Sequence, residues 1–305
     1  MHVIIARHYM QLALRNRSFV AFATILIGMT IASGVIGLLS HQTIISVYNI
    51  TASELQASGK AIPPNPFASA SSLSLIKNMM IYIPLVGALI AIIIGNDAVA
   101  ADRSAGVAKI LFSRPINRAV YVRGKLLAAS GILGGVLGVC LLVSCISLAI
   151  IIGHTSSVAE YVALIIFYFA SFMYLLFFVL VGMISAMLLS SRLVATLSAI
   201  GVWVMVTFIL PQIVSGVSPV ASLNPVSQAI AYQNSQFFQF TSWFSFMSFA
   251  ESYKHIAGGL LGVSSSNLLD ALRFAVPITA AITALYVLTV KAAGAMSTYE
   301  GGSYE

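Results

Sequence analysis

The sequence predicts an all-α polytopic membrane protein with about six transmembrane helices. Three observations carry that prediction. Of 305 residues, 59% are hydrophobic and only 8% charged, whereas water-soluble domains carry about a quarter charged residues. Six segments are apolar over the roughly 20 residues a spanning helix needs. The basic residues gather in the short stretches between those segments rather than in a separate basic domain. The net charge of +7 therefore reads as a membrane-flanking bias and not as a nucleic-acid footprint.

The spans are expected at 18–39, 79–95, 126–152, 161–189, 193–214 and 274–290, and none of them contains Asp, Glu, Lys or Arg. Ahead of the first, residues 1–17 can form an amphipathic interfacial helix. Ile5, Tyr9, Leu12 and Ala13 share one face, with Arg7, Gln11 and Arg15 opposite. The stretch is polar and basic, and the first apolar segment is long enough to span, so no cleavable signal is expected. Residues 18–293 form the transmembrane domain, and 294–305 a tail.

Lys and Arg in the flanks set the orientation. Arg7, Arg15, Arg17, Arg103, Lys109, Arg114, Arg118, Arg123, Lys125, Arg192 and Lys291 fall on one side; Lys60, Lys77, Lys254 and Arg273 fall on the other. Eleven against four places both termini in the cytoplasm of a multi-pass plasma-membrane protein.

The outer loop 40–78 contains Pro63-Pro64-Asn65-Pro66 and is expected to be irregular, with a short helix at its end. The outer loop 215–273 is too apolar for an ordinary solvated loop. Its run from Phe237 to Phe244 fits aromatic residues at the membrane interface. The sharper alternative is a pair of short helices dipping into the outer leaflet, shielded by protein or facing water. Only Ser190-Ser191-Arg192 separates the fourth and fifth spans, which predicts a tight helical hairpin. Gly131/Gly135, Gly134/Gly138 and Gly258/Gly262 have G-x-x-x-G spacing. They are expected to pack within the bundle, with a dimer interface as the alternative.

Catalytic and cofactor signatures are missing. Gly124-Lys125 lacks the other residues of a phosphate-binding loop, so the chain is not expected to hydrolyse ATP by itself. There is no G-x-S-x-G elbow. Cys140 and Cys145 fit apolar core positions, and His2, His8, His41, His154 and His255 have no ligand spacing. No catalytic, cofactor or metal residue is expected. The spans hold no carboxylate pair, which weighs against proton- or ion-coupled transport.

The longest inner loop, 96–125, carries most of the functional information. Residues 97–112 can continue as helix, with Val107, Ile110 and Leu111 on one face. Pro115 then disfavours helix at Arg114 and suits the first turn of a new helix, which carries Arg118, Tyr121, Val122 and Lys125 toward the third span. The result is a short, stiff, basic handle that a cytoplasmic partner can grip; an inner loop merely retained by positive charge is the plainer account.

Asp102, Gly106, Leu111, Ser113, Pro115, Ile116, Arg118, Gly124 and Lys125 match in order the loop between spans two and three of ABC-2 type ABC transporter permeases. That pattern is an acidic residue, Gly-Thr, Leu-Leu-Ser-x-Pro-[IV]-x-Arg, then Gly-Lys. Val107 and Phe112 depart from it. The hairpin at 190–192 with Ala195 and Ala199, and Ser222-Leu223-Asn224-Pro225-Val226 in the long outer loop, also resemble the family. Within it, permeases of nitrous-oxide reductase copper-site maturation are the most similar subgroup, on overall size and the Asn-Pro segment.

The resemblance implies the permease subunit of an ATP-driven transporter, an exporter. Its partners would be two copies of a separate ABC ATPase, which holds the ATP and Mg, and a second permease chain, identical or homologous, in the lipid membrane. The coupling helix within 97–118 would seat in the ATPase, with Asp102, Gly106, Arg114, Pro115 and Arg118 as contact or shape determinants and Arg7 and Arg15 as secondary contacts. Apolar spans fit a lipid-like or hydrophobic cargo. The competing classes are an ATP-independent secondary transporter or channel and a structural membrane anchor of a larger complex.

Overall fold

A computed structural model describes residues 17–64, 72–104, 117–152, 157–215, 248–263 and 268–301. The chain is an all-α polytopic membrane protein, with no strand among the described residues. Helix α1 spans Arg17–Ala57. Helix α2 runs through Met79–Tyr82, a π turn at Ile83–Gly87, and Ala88–Ser104. Helix α3 is Arg118–Ile152 and α4 is Val158–Leu188. Helix α5 comprises Arg192–Val204, a second π turn at Met205–Ile209, and Leu210–Ser215. Helix α6 is Phe249–Leu260 and α7 is Leu268–Gly301, which contains Pro277. Among the described residues, six of these helices, all but α6, are long and apolar enough to cross a membrane.

Helix α4 is the hub. A Ser157–Glu160 capping box starts it: the Ser157 hydroxyl accepts from the Glu160 amide, and the Glu160 carboxylate accepts from the Ser157 amide. Leu164, Phe167, Ser171, Tyr174, Leu175, Phe178, Gly182 and Ala186 recur at three- and four-residue steps and are all buried. They meet α2 on one side and α6 and α7 on the other. The α2–α4 crossing is close. A Cβ on Gly95 would strike the Val179 carbonyl, and one on Gly182 would strike the Ile92 carbonyl. Two glycines thus let the backbones touch, the packing that drives helix association where lipid removes the hydrophobic effect.

The predicted G-x-x-x-G pairs play a different part. Gly131 and Gly135 face outward, and nothing lies within 4 Å of a Cβ built on Gly135 or Gly138. A Cβ on Gly134 would lie 3.8 Å from Phe172, and Gly258 is buried, so packing within the bundle holds for part of the set. Gly262 ends α6 in the left-handed region at φ +67°, with the Val263 amide donating to the Gly258 carbonyl at 2.8 Å.

The loop expected at 40–78 also departs from expectation. Helix α1 does not stop at 39 but continues to Ala57. No Gly or Pro interrupts 38–58, and Thr43, Ser46, Thr51 and Ser53 fold their hydroxyls back onto carbonyls of the preceding turn. Gly59, at φ +68°, ends it. A 3-10 turn at Ser72–Ile76 supplies the short helical piece expected before the second span. The hairpin at 190–192 forms as predicted. The expected interfacial helix at 1–17, including Arg7 and Arg15, lies outside the described residues except for its last residue, which starts α1. The aromatic run 237–244 also lies outside them.

Of the loop expected at 215–273, helix α6 and the start of α7 are described, and α6 packs into the bundle. Its Phe249 ring stacks on Phe177 at 4.2 Å, and its Tyr253 ring lies 4.5 Å from Tyr174. The Tyr253 and Ser171 hydroxyls are 3.0 Å apart.

Candidate functional site

The chain's charged side chains concentrate where α2 ends and α3 begins. Asp102 lies on the last turn of α2 with its carboxylate turned inward. Lys125 Nζ donates to Oδ1 at 2.8 Å, and the Tyr121 hydroxyl donates to Oδ2 at 2.9 Å. Tyr121 and Lys125 stand one turn apart on α3, so both reach the same face of α2. The Lys125 side chain is 6% exposed and that of Asp102 16%. A charge so buried persists when it is paired and its remaining hydrogen bonds are met; Tyr121 takes up the second carboxylate oxygen.

The next residue ties α2 to α4. Arg103 Nη1 donates to the carbonyls of Ala186 and Leu189, each at 2.8 Å. The last carbonyls of a helix have no partner within it, and a guanidinium suits them because the dipole is negative there.

One turn earlier, α2 grips the start of α5. Arg192 Nη2 reaches Asp97 Oδ1 at 2.5 Å. Asn96 Nδ2 donates to the Arg192 carbonyl at 3.4 Å and to Thr196 Oγ1. On the other flank, Arg123 Nε donates to the Tyr286 hydroxyl of α7 at 2.9 Å. Arg118, exposed at the first turn of α3, lays its guanidinium against Gly294, where a Cβ would collide with it. Asn117 caps α3: its Oδ1 accepts from the Ala119 amide at 2.9 Å.

The two ends of segment 105–116 are therefore fixed. Ser104 leaves a helix pinned through Asp97, Asp102 and Arg103. Asn117 enters a helix pinned through Tyr121, Arg123 and Lys125. Side-chain contacts thus join α2 to α3, α4 and α5, and α3 to α7.

Of the expected coupling residues, the structure places Asp102 and Arg118 in this collar. Asp102 faces the bundle. Gly106, Arg114, Pro115, Arg7 and Arg15 lie outside the described residues. Sequence reasoning missed Asn96, Asp97, Arg103, Tyr121 and Arg192 as a connected set. One signal was available: Tyr121 and Lys125 share a helix face across a loop from Asp102, an arrangement suited to a pair.

The hexad Ser171, Tyr174, Phe177, Phe178, Phe249 and Tyr253 forms a second cluster deeper in the bundle. The Tyr174 and Thr207 hydroxyls are both buried there, next to one another.

No curated protein matches the sequence. The family described as ABC-2 family transporter protein matches residues 3–298; the match is to the family and reaches no subgroup. With nearly the whole chain covered, six apolar helices and the inter-span collar in place, the protein belongs to the ABC-2 family of ABC transporter membrane subunits.

Proposed function

We propose that this permease is the membrane half of an ATP-driven exporter, coupled through residues 97–118 to two copies of a separate ATPase, and that it works beside a second permease chain. In this reading the charged end of the bundle faces the cytoplasm of the cell that carries it, in keeping with the basic bias of its flanks. ATP and Mg act on the partner. Closure of the ATPase pair pushes the segment between Ser104 and Asn117, and the bundle tilts as a unit.

The carrying observation is the clamp of Asp102 by Lys125 and Tyr121. A handle transmits motion only when its roots cannot slip, and this pair joins the two roots directly. The test separates grip from transmission. With co-expressed ATPase, Arg114→Glu plus Arg118→Glu is expected to abolish complex formation. Asp102→Asn is expected to leave the complex intact and remove the permease's stimulation of ATP hydrolysis. Unchanged complex formation and stimulation in both variants would discard the coupling assignment. Solute movement by the permease alone in liposomes would favour the ATP-independent class. A nucleotide-insensitive bundle would favour the anchor.

A further inference from the structure

Not every cation at the charged end is matched inside the bundle. Lys125 is held by Asp102, Arg192 by Asp97, and Arg103 by the carbonyls of Ala186 and Leu189. Arg118 and Arg123 on α3 and Lys291 on α7 are exposed, and among the described residues no carboxylate pairs with them. All three border one seam. Arg123 Nε donates to the Tyr286 hydroxyl at 2.9 Å, and the Arg118 guanidinium lies against Gly294. Tyr286 and Gly294 bracket Lys291 on α7, so Lys291 stands between the two contacts along that helix. The bond from Nε leaves both Nη groups of Arg123 as donors. The Tyr286 oxygen accepts there and keeps its own proton to give. Donors and positive charge thus meet at one place and call for an anion.

The seam continues into an apolar lane. Arg123, Leu127, Gly131, Gly135 and Val139 recur every four residues on α3, and all are exposed. Residues at that spacing stack along one helix face. Nothing lies within 4 Å of a Cβ built on Gly135, so the lane sinks to backbone there. On α7, Val287 and Leu288 are exposed one turn deeper than Lys291. At 1.5 Å per residue, Gly131 and Gly135 lie roughly 12 Å and roughly 18 Å from Arg123. One leaflet's hydrocarbon is roughly 15 Å thick, so the trough sits where an acyl chain ends when its headgroup is at Arg123.

Basic pockets between spanning helices hold the phosphates of acidic lipids. We infer that the α3–α7 seam binds one anionic phospholipid, its phosphate on Arg123, Lys291 and Tyr286 and one acyl chain along Leu127, Gly131 and Gly135. Charge decides against a second copy of the chain on this lane. A two-fold axis along the membrane normal keeps each residue at its own depth, so a docked copy would set these cations against their own counterparts. The lipid site rests on the membrane assignment and not on coupling to an ATPase.

The experiment is native mass spectrometry of the full-length chain from a neutral detergent, with phosphatidylglycerol or phosphatidylcholine added. Only compact, folded ions are scored, so a variant that unfolds does not count as one that fails to bind. The parent is expected to keep one phosphatidylglycerol at a collision energy that strips phosphatidylcholine. Arg123→Gln and Lys291→Gln are each expected to lower that retention roughly fivefold. Lys60→Gln, which removes the same charge from an exposed position away from the seam, is expected to leave it unchanged. Gly135→Leu fills the lane without touching the headgroup and is expected to weaken retention too. Equal retention of the two lipids by the parent, or phosphatidylglycerol retention unmoved by Arg123→Gln with Lys291→Gln, overturns the site. Full displacement of phosphatidylglycerol by millimolar glycerol phosphate means that the chain adds nothing, and it overturns the lipid as occupant. A dimer that Gly135→Leu converts to monomer, with lipid retention unchanged, gives the lane to a second copy and overturns it as well.

Discussion

The charged end of the bundle and its middle are held by different chemistry. At the end, Asp97, Asp102, Arg103, Arg123, Lys125 and Arg192 join five helices through ion pairs and charge-assisted hydrogen bonds. In the middle, α4 and α6 meet through four stacked or tilted rings and one hydroxyl pair. Charge is affordable only where water is near enough to share its solvation. Deeper in, the same cohesion must come from packing and from weakly polar hydroxyls. The end is thus specific in geometry and brittle to single deletions, and the middle is tolerant of small changes and sensitive to volume.

The largest expected effect comes from the place where neither chemistry acts and backbone touches backbone. Gly182→Leu forces a side chain into the Ile92 carbonyl of α2. Overpacking against rigid backbone costs about 3 kcal/mol or more, and both regions hang on this crossing. The expected outcome is loss of the monodisperse folded species in detergent-solubilised size-exclusion chromatography. A variant eluting like the parent would show that α2 and α4 are free to separate.

Next is the collar's brittleness. Lys125→Met strands the Asp102 carboxylate, and removing one partner of a buried pair costs about 3–5 kcal/mol. Replacing both, Asp102→Leu with Lys125→Met, is expected to recover most of the loss in thermal unfolding, because no lone charge remains. Recovered stability without recovered ATPase stimulation would show that the pair serves coupling more than folding. A double variant no better than the single would mean that the pair itself, and not the stranded charge, carries the stability.

How far the sequence revealed each region follows from the range of the interactions. The six spans are local facts, each set by about twenty consecutive residues, and they appear close to where expected. The tight hairpin at 190–192 is equally local. The extension of α1 to Ala57 was hidden because its residues are polar enough for a loop. Only the absence of a breaker before Gly59, and hydroxyls folding back onto the helix, betray it. In the collar, Asp102 and Lys125 stood out by type, but Arg103 on α4's last carbonyls and Arg192 on Asp97 depend on how helices 80 to 100 residues apart cross. The seating of α6 was least legible. Its twelve residues are too few to read as a span, and its aromatic partners Tyr174, Phe177 and Phe178 sit in an apolar helix where nothing in the spacing singles them out. The close-packing glycines were misjudged for the same reason. On α3, Gly131 and Gly135 face outward and Gly134 only touches Phe172, whereas lone Gly95 and Gly182 make the tight crossing.

The smallest expected effect probes the middle at its one polar joint. Tyr253→Phe keeps the ring that lies 4.5 Å from Tyr174 and removes only the hydroxyl bonded to Ser171 at 3.0 Å. Side-chain hydrogen bonds within membranes are worth roughly 0.6 kcal/mol on average and up to roughly 1.7. Ser171 also donates to the Phe167 carbonyl at 2.8 Å, so its own hydroxyl is not stranded. A shift of a few degrees in thermal unfolding is the expected result. Tyr253→Ala removes the ring as well and is expected to cost several times more, since the stack with Tyr174 goes with it. If the two variants are equally destabilised, the hydroxyl pair rather than the rings holds α6 in place, and the middle of the bundle is governed by the same polar logic as its charged end.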